Sequence, residues 1–407
     1  MNLLSKFLNR TDFSDYDDFR RNAKLCVPSD FNFGFDVVDE YARLCPEKRA
    51  LVWCNQKGEE KVITFGEMKE LSLKMCNVIS SYGVKKGDFV MSMLNRRWEY
   101  WVLVVACCKM GVVLIPATHM LTPKDVAYRV NEAGVKLLFA TEEEDVAEHI
   151  SLALPDCKNL KGVLSVNGAH FDNLDEKLEN APAEFSFDAR PNPRDLMLVY
   201  FTSGTTGTSK GVMLSEDNLM TCIHASANMV NISDKDTILS VLPFHHTYEA
   251  CCGILTPICL GTTVCINNSL KYVTRNLKIF KPTGMVLVPL FVTTINKKIN
   301  DEIRKENKEK LIKGALVVTN TARKAGIDLR RVAFKKIHES LGGNLRTIIC
   351  GGAALDPELV KRFDELGISI AQGYGITECA PLVSVSPYRH VKPASVGLPI
   401  EDSVVKI

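Results

Sequence analysis

The densest chemistry in the sequence lies in Tyr200-Phe-Thr-Ser-Gly-Thr-Thr-Gly-Thr-Ser-Lys-Gly211. Glycines let backbone N–H groups crowd onto an oxyanion, hydroxyl side chains add donors, and Lys210 supplies a mobile positive charge. The segment follows the apolar run 196–200, which reads as a buried strand. It precedes Ser215-Glu-Asp-Asn218, which reads as a helix start with acidic residues in its first turn. By composition this is a phosphate cradle. It fails the Walker test, which asks for glycine directly before the lysine and Ser or Thr directly after it; here Ser209 precedes Lys210 and Gly211 follows.

Three further segments carry usable side chains. Leu242-Pro-Phe-His-His-Thr-Tyr-Glu249 follows a strand-like run, and strand ends of open α/β sheets are where ligands bind. His245, His246 and Tyr248 suit a substrate pocket, or equally a hydrogen-bonded histidine pair capping a helix. Zinc held by His245, His246, Cys251 and Cys252 is disfavoured, because adjacent histidines do not match common zinc spacings. In Gln372-Gly-Tyr-Gly-Ile-Thr-Glu378 a planar base could stack on Tyr374 and the Glu378 carboxylate could hold Mg²⁺ near phosphates; a plain glycine-bracketed turn is the alternative. Cys350-Gly-Gly-Ala-Ala354 is a glycine turn open to a flat ring, or simply an economical connection.

The elements that must position these residues alternate along the chain. Thr64-Phe-Gly-Glu67 is a capping box that opens a helix closed by Gly83. Residues 88–94 read as a strand, Trp98 to Met110 as a mostly buried helix, and 112–116 as the next strand. Thr122-Pro123 starts another helix, and 136–140 is a strand. After residue 196 the alternation resumes, with strands expected at 237–242, 262–266, 284–288 and 346–350. Asp301 to Lys313, with charges of both signs, reads as one solvated helix. Asp356 and Pro357 read as N-cap and first position of a helix running to about residue 366. Residues 171–194, rich in Asn, Asp, Pro and Glu, read as an exposed connection. Such alternation predicts an α/β fold with largely parallel sheets.

Composition narrows the function classes. The 407 residues, 46% hydrophobic and 24% charged, suffice for two or more lobes, and a net charge of +2 offers no electrostatic case for nucleic acid or an anionic membrane. The 14 cysteines are scattered, many in apolar runs, with no C-x-x-C. Together with an N-terminus lacking a signal-peptide core, they predict buried reduced thiols in a cytoplasmic protein. No apolar run reaches the ~20 residues of a spanning helix, which leaves only peripheral membrane contact open.

Taken in order, these four motifs resemble the adenylate-forming superfamily, specifically acyl-CoA synthetases and fatty-acid–CoA ligases. The resemblance implies two α/β subdomains packed as a layered αβαβα large domain: a 1–30 arm, subdomains at 31–195 and 196–390, and the start of a small β subdomain at 391–407. It implies that an acid and ATP with Mg²⁺ give an acyl-adenylate, which passes its acyl group to CoA as co-substrate. Thr202, Ser203, Gly204, Thr205, Thr206, Gly207 and Lys210 would then wrap the phosphates. Gly351, Gly352, Ala353, Gln372, Gly373, Tyr374 and Gly375 would form the adenine slot. Thr377 would touch the α-phosphate, Glu378 with Thr202 would hold Mg²⁺, His246 would meet the acyl carboxylate and Tyr248 would line the acid pocket. In this assignment Lys210, His246, Thr377 and Glu378 form the catalytic set.

Two departures qualify the resemblance. The ribose-binding aspartate, the hinge and the mobile domain with its catalytic lysine have no counterpart before Ile407, so a truncated large domain of weak activity is expected. His-His-Thr-Tyr248 stands where amino-acid adenylation domains carry a Phe-Asp pair, which favours a simple acid. A medium- to long-chain fatty acid is expected, with an aryl-CoA or carrier-protein ligase and a non-catalytic acyl- or nucleotide-binding relative as alternatives.

Overall fold

The computed structural model describes residues 3–7, 14–22, 24, 26–143, 145–203, 209–387, 391–401 and 403–406. Helix Trp98–Met110 carries only two charges, Glu99 and Lys109, and is buried on every side up to its last residue. A helix apolar all round has to lie inside a protein. It packs against Val113–Pro116 of one sheet and Arg49–Cys54 of the other.

The first sheet has seven strands in the order Asp172–Asn173, Gly162–Val166, Val135–Thr141, Phe89–Met93, Val113–Pro116, Leu196–Ser203 and Ser209–Ser215. All are parallel except the last, which forms a hairpin with its predecessor. In the nine-stranded second sheet six parallel strands, from Ser369–Gly375 to Arg49–Cys54, are flanked by antiparallel edges. Strands swap between sequence halves: Arg49–Cys54 and Glu60–Thr64 join the later sheet, and the hairpin 196–215 joins the earlier one. Two mainly parallel sheets around a buried helical layer make the α/β fold that the alternation predicts.

Local signals explain most boundaries. The Thr64–Glu67 capping box opens Phe65–Ser81, and Gly83, at φ +68°, takes the chain out. Thr122 and Asp125 form a second box before Pro123–Ala133, and Ser215 and Asn218 a third before Glu216–Met229. Asp356 caps Pro357–Glu365. Two expectations change. The charged stretch 301–313 is not one helix; Pro289–Lys305 and Glu309–Lys324 are separated by a turn where Asn307 has φ 55°. Residues 171–194 include a helix, Leu174–Asn180, capped by Asn173, because Leu174 and Leu178 find the core. The N-terminal arm packs on the body, with Leu3, Phe7 and Phe19 buried and Tyr16 donating to the Pro399 carbonyl.

All 14 cysteines are free thiols, as their scatter predicts. Among the described residues no helix is long and apolar enough to cross a membrane.

Charges also enter the interior. The Lys109 ammonium, with no side-chain exposure, donates to Asp39 Oδ1 at 2.6 Å and to Ser72 Oγ at 2.9 Å. Burial pushes the Lys109 ammonium down and the Asp39 carboxyl up, while their attraction opposes both. Glu216 accepts from the Phe33 N–H, and burial lifts its carboxyl from 4.5 to about 8. Lys109→Ala should cost about 3–5 kcal/mol by stranding Asp39, read as a lower chemical-denaturation midpoint; an unchanged midpoint would refute the role. Between pH 4.5 and about 8 folded Glu216 holds a proton that the unfolded chain releases, so its contribution to stability falls as pH rises through that window. Glu216→Gln should therefore flatten the decline in melting temperature from about pH 5 to about pH 8; parallel wild-type and variant curves would contradict this.

Candidate active site

Four parallel strands, Thr237–Ser240, Gly284–Leu287, Thr347–Cys350 and Ser369–Gly375, end on one cavity of about 550 Å³. The C-terminal ends of such strands are the usual ligand position in open α/β sheets. One flank is made by Gly351, Gly352 and Gly373 to Thr377, the other by Leu242, His246, Tyr248, Val288 and Phe291. The walls are mainly apolar.

Absent side chains shape the glycine flank. A Cβ on Gly375 would sit 1.8 Å from the Pro381 carbonyl oxygen, so no other residue fits there. Gly352 has φ +84°, in the left-handed region, and a Cβ on Gly351 would come within 3.2 Å of the Tyr248 ring. The Tyr374 ring is half exposed at the cavity edge.

The loop 241–248 is fixed from behind. Phe244 packs at 5.2 Å against both Tyr100 and Trp101 of the central helix. Tyr248 donates to the Ile349 carbonyl at 3.1 Å, so its ring, not its hydroxyl, is offered to a ligand. His246 lines the cavity and His245 does not; the two rings lie 4.5 Å apart. Burial, reinforced by positive neighbours including His246, pushes His245 down to about 3, and desolvation also lowers His246. Both imidazoles are thus neutral near pH 7.

Other expected residues lie elsewhere. Gln372 is buried and donates to the Pro393 and Ser395 carbonyls, at 2.7 and 3.1 Å, behind the cavity wall. Ala353 and Glu378 are exposed just outside the cavity. Thr202 pairs with Lys210 across the hairpin, and the Ser209–Ser215 strand packs beside the short helix Thr377–Cys379 that carries Glu378. Gly204, Thr205, Thr206, Gly207 and the Ser203 side chain lie outside the described residues. Among the described residues no three His, Cys, Asp or Glu side chains converge as a metal cage.

Two ionisable wall residues escaped the sequence reading. Arg96 adopts φ 46° and donates to the Val241 carbonyl at 2.5 Å. Glu249 is fully buried, accepts from the Ser240 hydroxyl, and is pushed up to about 8, chiefly by burial, against the pull of Arg96. Its place inside the His-His-Thr-Tyr-Glu motif was the available signal. Arg96 follows a strand end, which is a much weaker one.

The sequence profile described as AMP-binding enzyme matches residues 38–407. The chain is 28% identical over 394 residues to acyl-coenzyme A synthetase ACSM4, mitochondrial, of Mus musculus, covering 94% of this chain and 62% of that protein. It is 26% identical over 415 residues to acyl-coenzyme A synthetase ACSM3, mitochondrial, of Homo sapiens, covering 98% of this chain and 64% of that one. The chain thus spans less than two thirds of these relatives. In fold it resembles the crystal structure of a long-chain-fatty-acid-CoA ligase from Archaeoglobus fulgidus, with TM-score 0.74, 21% identity, and coverage of 93% of this chain and 71% of that one. With the profile spanning 38–407 and the glycine-lined cavity at the strand ends, the chain belongs to the AMP-binding enzyme family.

Proposed function

We propose that this chain is the nucleotide- and acid-binding part of an acid–thiol ligase that forms a fatty acyl-adenylate and then a fatty acyl-CoA. One observation carries this reading: a single cavity has one flank of glycine backbone beside Tyr374 and an otherwise mainly apolar wall. The relatives named as acyl-coenzyme A synthetases support acid activation as the reaction class. The chamber's apolar walls favour a fatty acid, since each buried methylene contributes about 0.8 kcal/mol.

In the first step a carboxylate oxygen bonds to the α-phosphorus of ATP, the bond to the bridging oxygen breaks, and pyrophosphate leaves. In the second, the CoA thiol, losing its proton, attacks the acyl carbonyl and AMP departs. The adenine would lie between Tyr374 and the Gly351–Gly352 backbone. His246, neutral at pH 7, would donate an N–H to the acid carboxylate without protonating it. The Thr377 hydroxyl would face the α-phosphate, with Lys210 and the hydroxyls of the hairpin on the departing phosphates. Two anions meet in the first step, so preorganised donors and positive charge lower its barrier most. The residues present fit Mg²⁺ as ATP carries it: the Glu378 carboxylate is exposed, the turn that carries it packs on the Ser209–Ser215 strand whose hairpin partner holds Thr202, and Mg²⁺ bound through phosphates needs only one or two protein ligands. When bound, it would neutralise phosphate charge.

ATP–pyrophosphate exchange in the intact protein tests the reading, with octanoate, palmitate and coumarate as competing acids. Glu378→Ala should lower exchange at least about 100-fold; near-wild-type exchange would remove Glu378 from the site. Gly351→Ala should raise the KM for ATP roughly tenfold by pressing a methyl on the Tyr248 ring, and an unchanged KM would place adenine elsewhere. Exchange with coumarate alone would overturn the fatty-acid assignment.

A further inference from the structure

Far from the strand ends, the sequence concentrates positive charge where the structure exposes apolar surface. Residues 289–340 hold 13 Lys and Arg against 6 Asp and Glu, a net +7 in a chain whose total is +2. In the helix Glu309–Lys324 only Thr319 is buried. Leu311, Gly314, Ala315 and Val318 repeat at helical spacing along its outer face. With Leu329, Val332 and Ala333 they line a shallow apolar hollow of about 520 Å³, edged by Lys310. Leu311 is 66% exposed, Val318 61% and Val332 78%. Single exposed apolar residues are ordinary, but a contiguous patch with a polar rim marks an interaction surface; Lys310, Lys313 and Lys324 are exposed on the same helix, whereas Arg323 and Arg330 are held by Asp364 and Asp328.

We propose that this face docks on an anionic lipid bilayer, its aliphatic side chains entering the acyl boundary and Lys310, Lys313 and Lys324 meeting lipid phosphates. An amphipathic helix with Lys and Arg on its polar side binds in this way. Charge argues against the other occupants. A second copy related by a twofold axis would set one +7 segment against another. A nucleic acid would engage the charges but leave Leu311, Val318 and Val332 in water. The location also fits a lipid surface. Val288 and Phe291 line the cavity, and the helix Pro289–Lys305 leads from there toward the patch over about 25 Å. Delivery of a lipid-derived acid to the cavity rests on the function proposed above; bilayer docking does not.

Co-sedimentation of the full chain with vesicles tests the docking. Vesicles containing roughly 30% phosphatidylglycerol should bind at least about tenfold more tightly than phosphatidylcholine alone, and raising salt from about 0.05 to about 0.5 M should weaken binding. The double variant Val318→Glu, Val332→Glu should lose about tenfold or more, as should Lys310→Glu with Lys313→Glu. Both should keep the wild-type melting temperature, because these side chains are exposed. Absent binding, equal binding to both vesicle types, or variants that sediment like wild type would overturn the proposal. So would a concentration-dependent dimer abolished by the valine substitutions, which would assign the face to a second copy. Vesicle binding in a chain without pyrophosphate exchange would separate the two readings.

Discussion

An ammonium group placed between two sheets must be neutralised where it stands, and much of the first half of the chain is arranged around that requirement. Lys109 sits at the end of the central helix, and its partners come from two other helices, Asp39 from Phe33–Asp39 and Ser72 from Phe65–Ser81. Gly34 leaves the space its stem occupies; a Cβ there would lie 2.6 Å from Lys109 Cγ. Asn32 caps the same turn and donates to the Cys108 carbonyl at 2.8 Å, while the next N–H, that of Phe33, is taken by Glu216. Glu216 opens the helix directly after the hairpin that carries Thr202 and Lys210. The turn 32–34 that makes room for Lys109 therefore also holds the hairpin of Thr202 and Lys210 against the central layer.

At the strand ends burial works in the opposite sense, removing charge. His245 and His246 are held neutral, and the Glu249 carboxyl keeps its proton to about pH 8. Desolvation disfavours whichever form is charged, so acids rise and bases fall together. Arg96, its guanidinium braced on the Val241 carbonyl, remains a positive charge on the cavity wall. A cavity built this way combines apolar walls with neutral hydrogen-bonding groups and one positive charge.

Legibility in the sequence tracks how local the physics is. Capping boxes at Thr64 and Ser215, the N-cap at Asp356 and the fully apolar helix 98–110 depend on residues a few positions apart, and all stand where the pattern put them. The glycines at 351, 352, 373 and 375 were readable because a missing side chain leaves a mark in the sequence, and they do converge on one cavity. Sheet membership was not readable, since nothing near Arg49–Cys54 records that its neighbour is Thr263–Ile266. Arg96 and Glu249 were missed for the same reason; their roles arise from partners that only the fold brings close. The break between Lys305 and Glu309 was hidden by charges that looked uniformly solvated.

Tyr248 has a consequence for order of binding. Its hydroxyl is fastened to the Ile349 carbonyl, and its ring is the nearest side chain to the place where a Cβ on Gly351 would lie. One ring thus borders both the apolar flank of the cavity and its glycine flank. A ligand that sets the tilt of the ring from one side changes the fit on the other, and such coupling is reciprocal by thermodynamic necessity. In an adenylating site the first substrate to arrive would tune the affinity of the second by the same factor as the reverse.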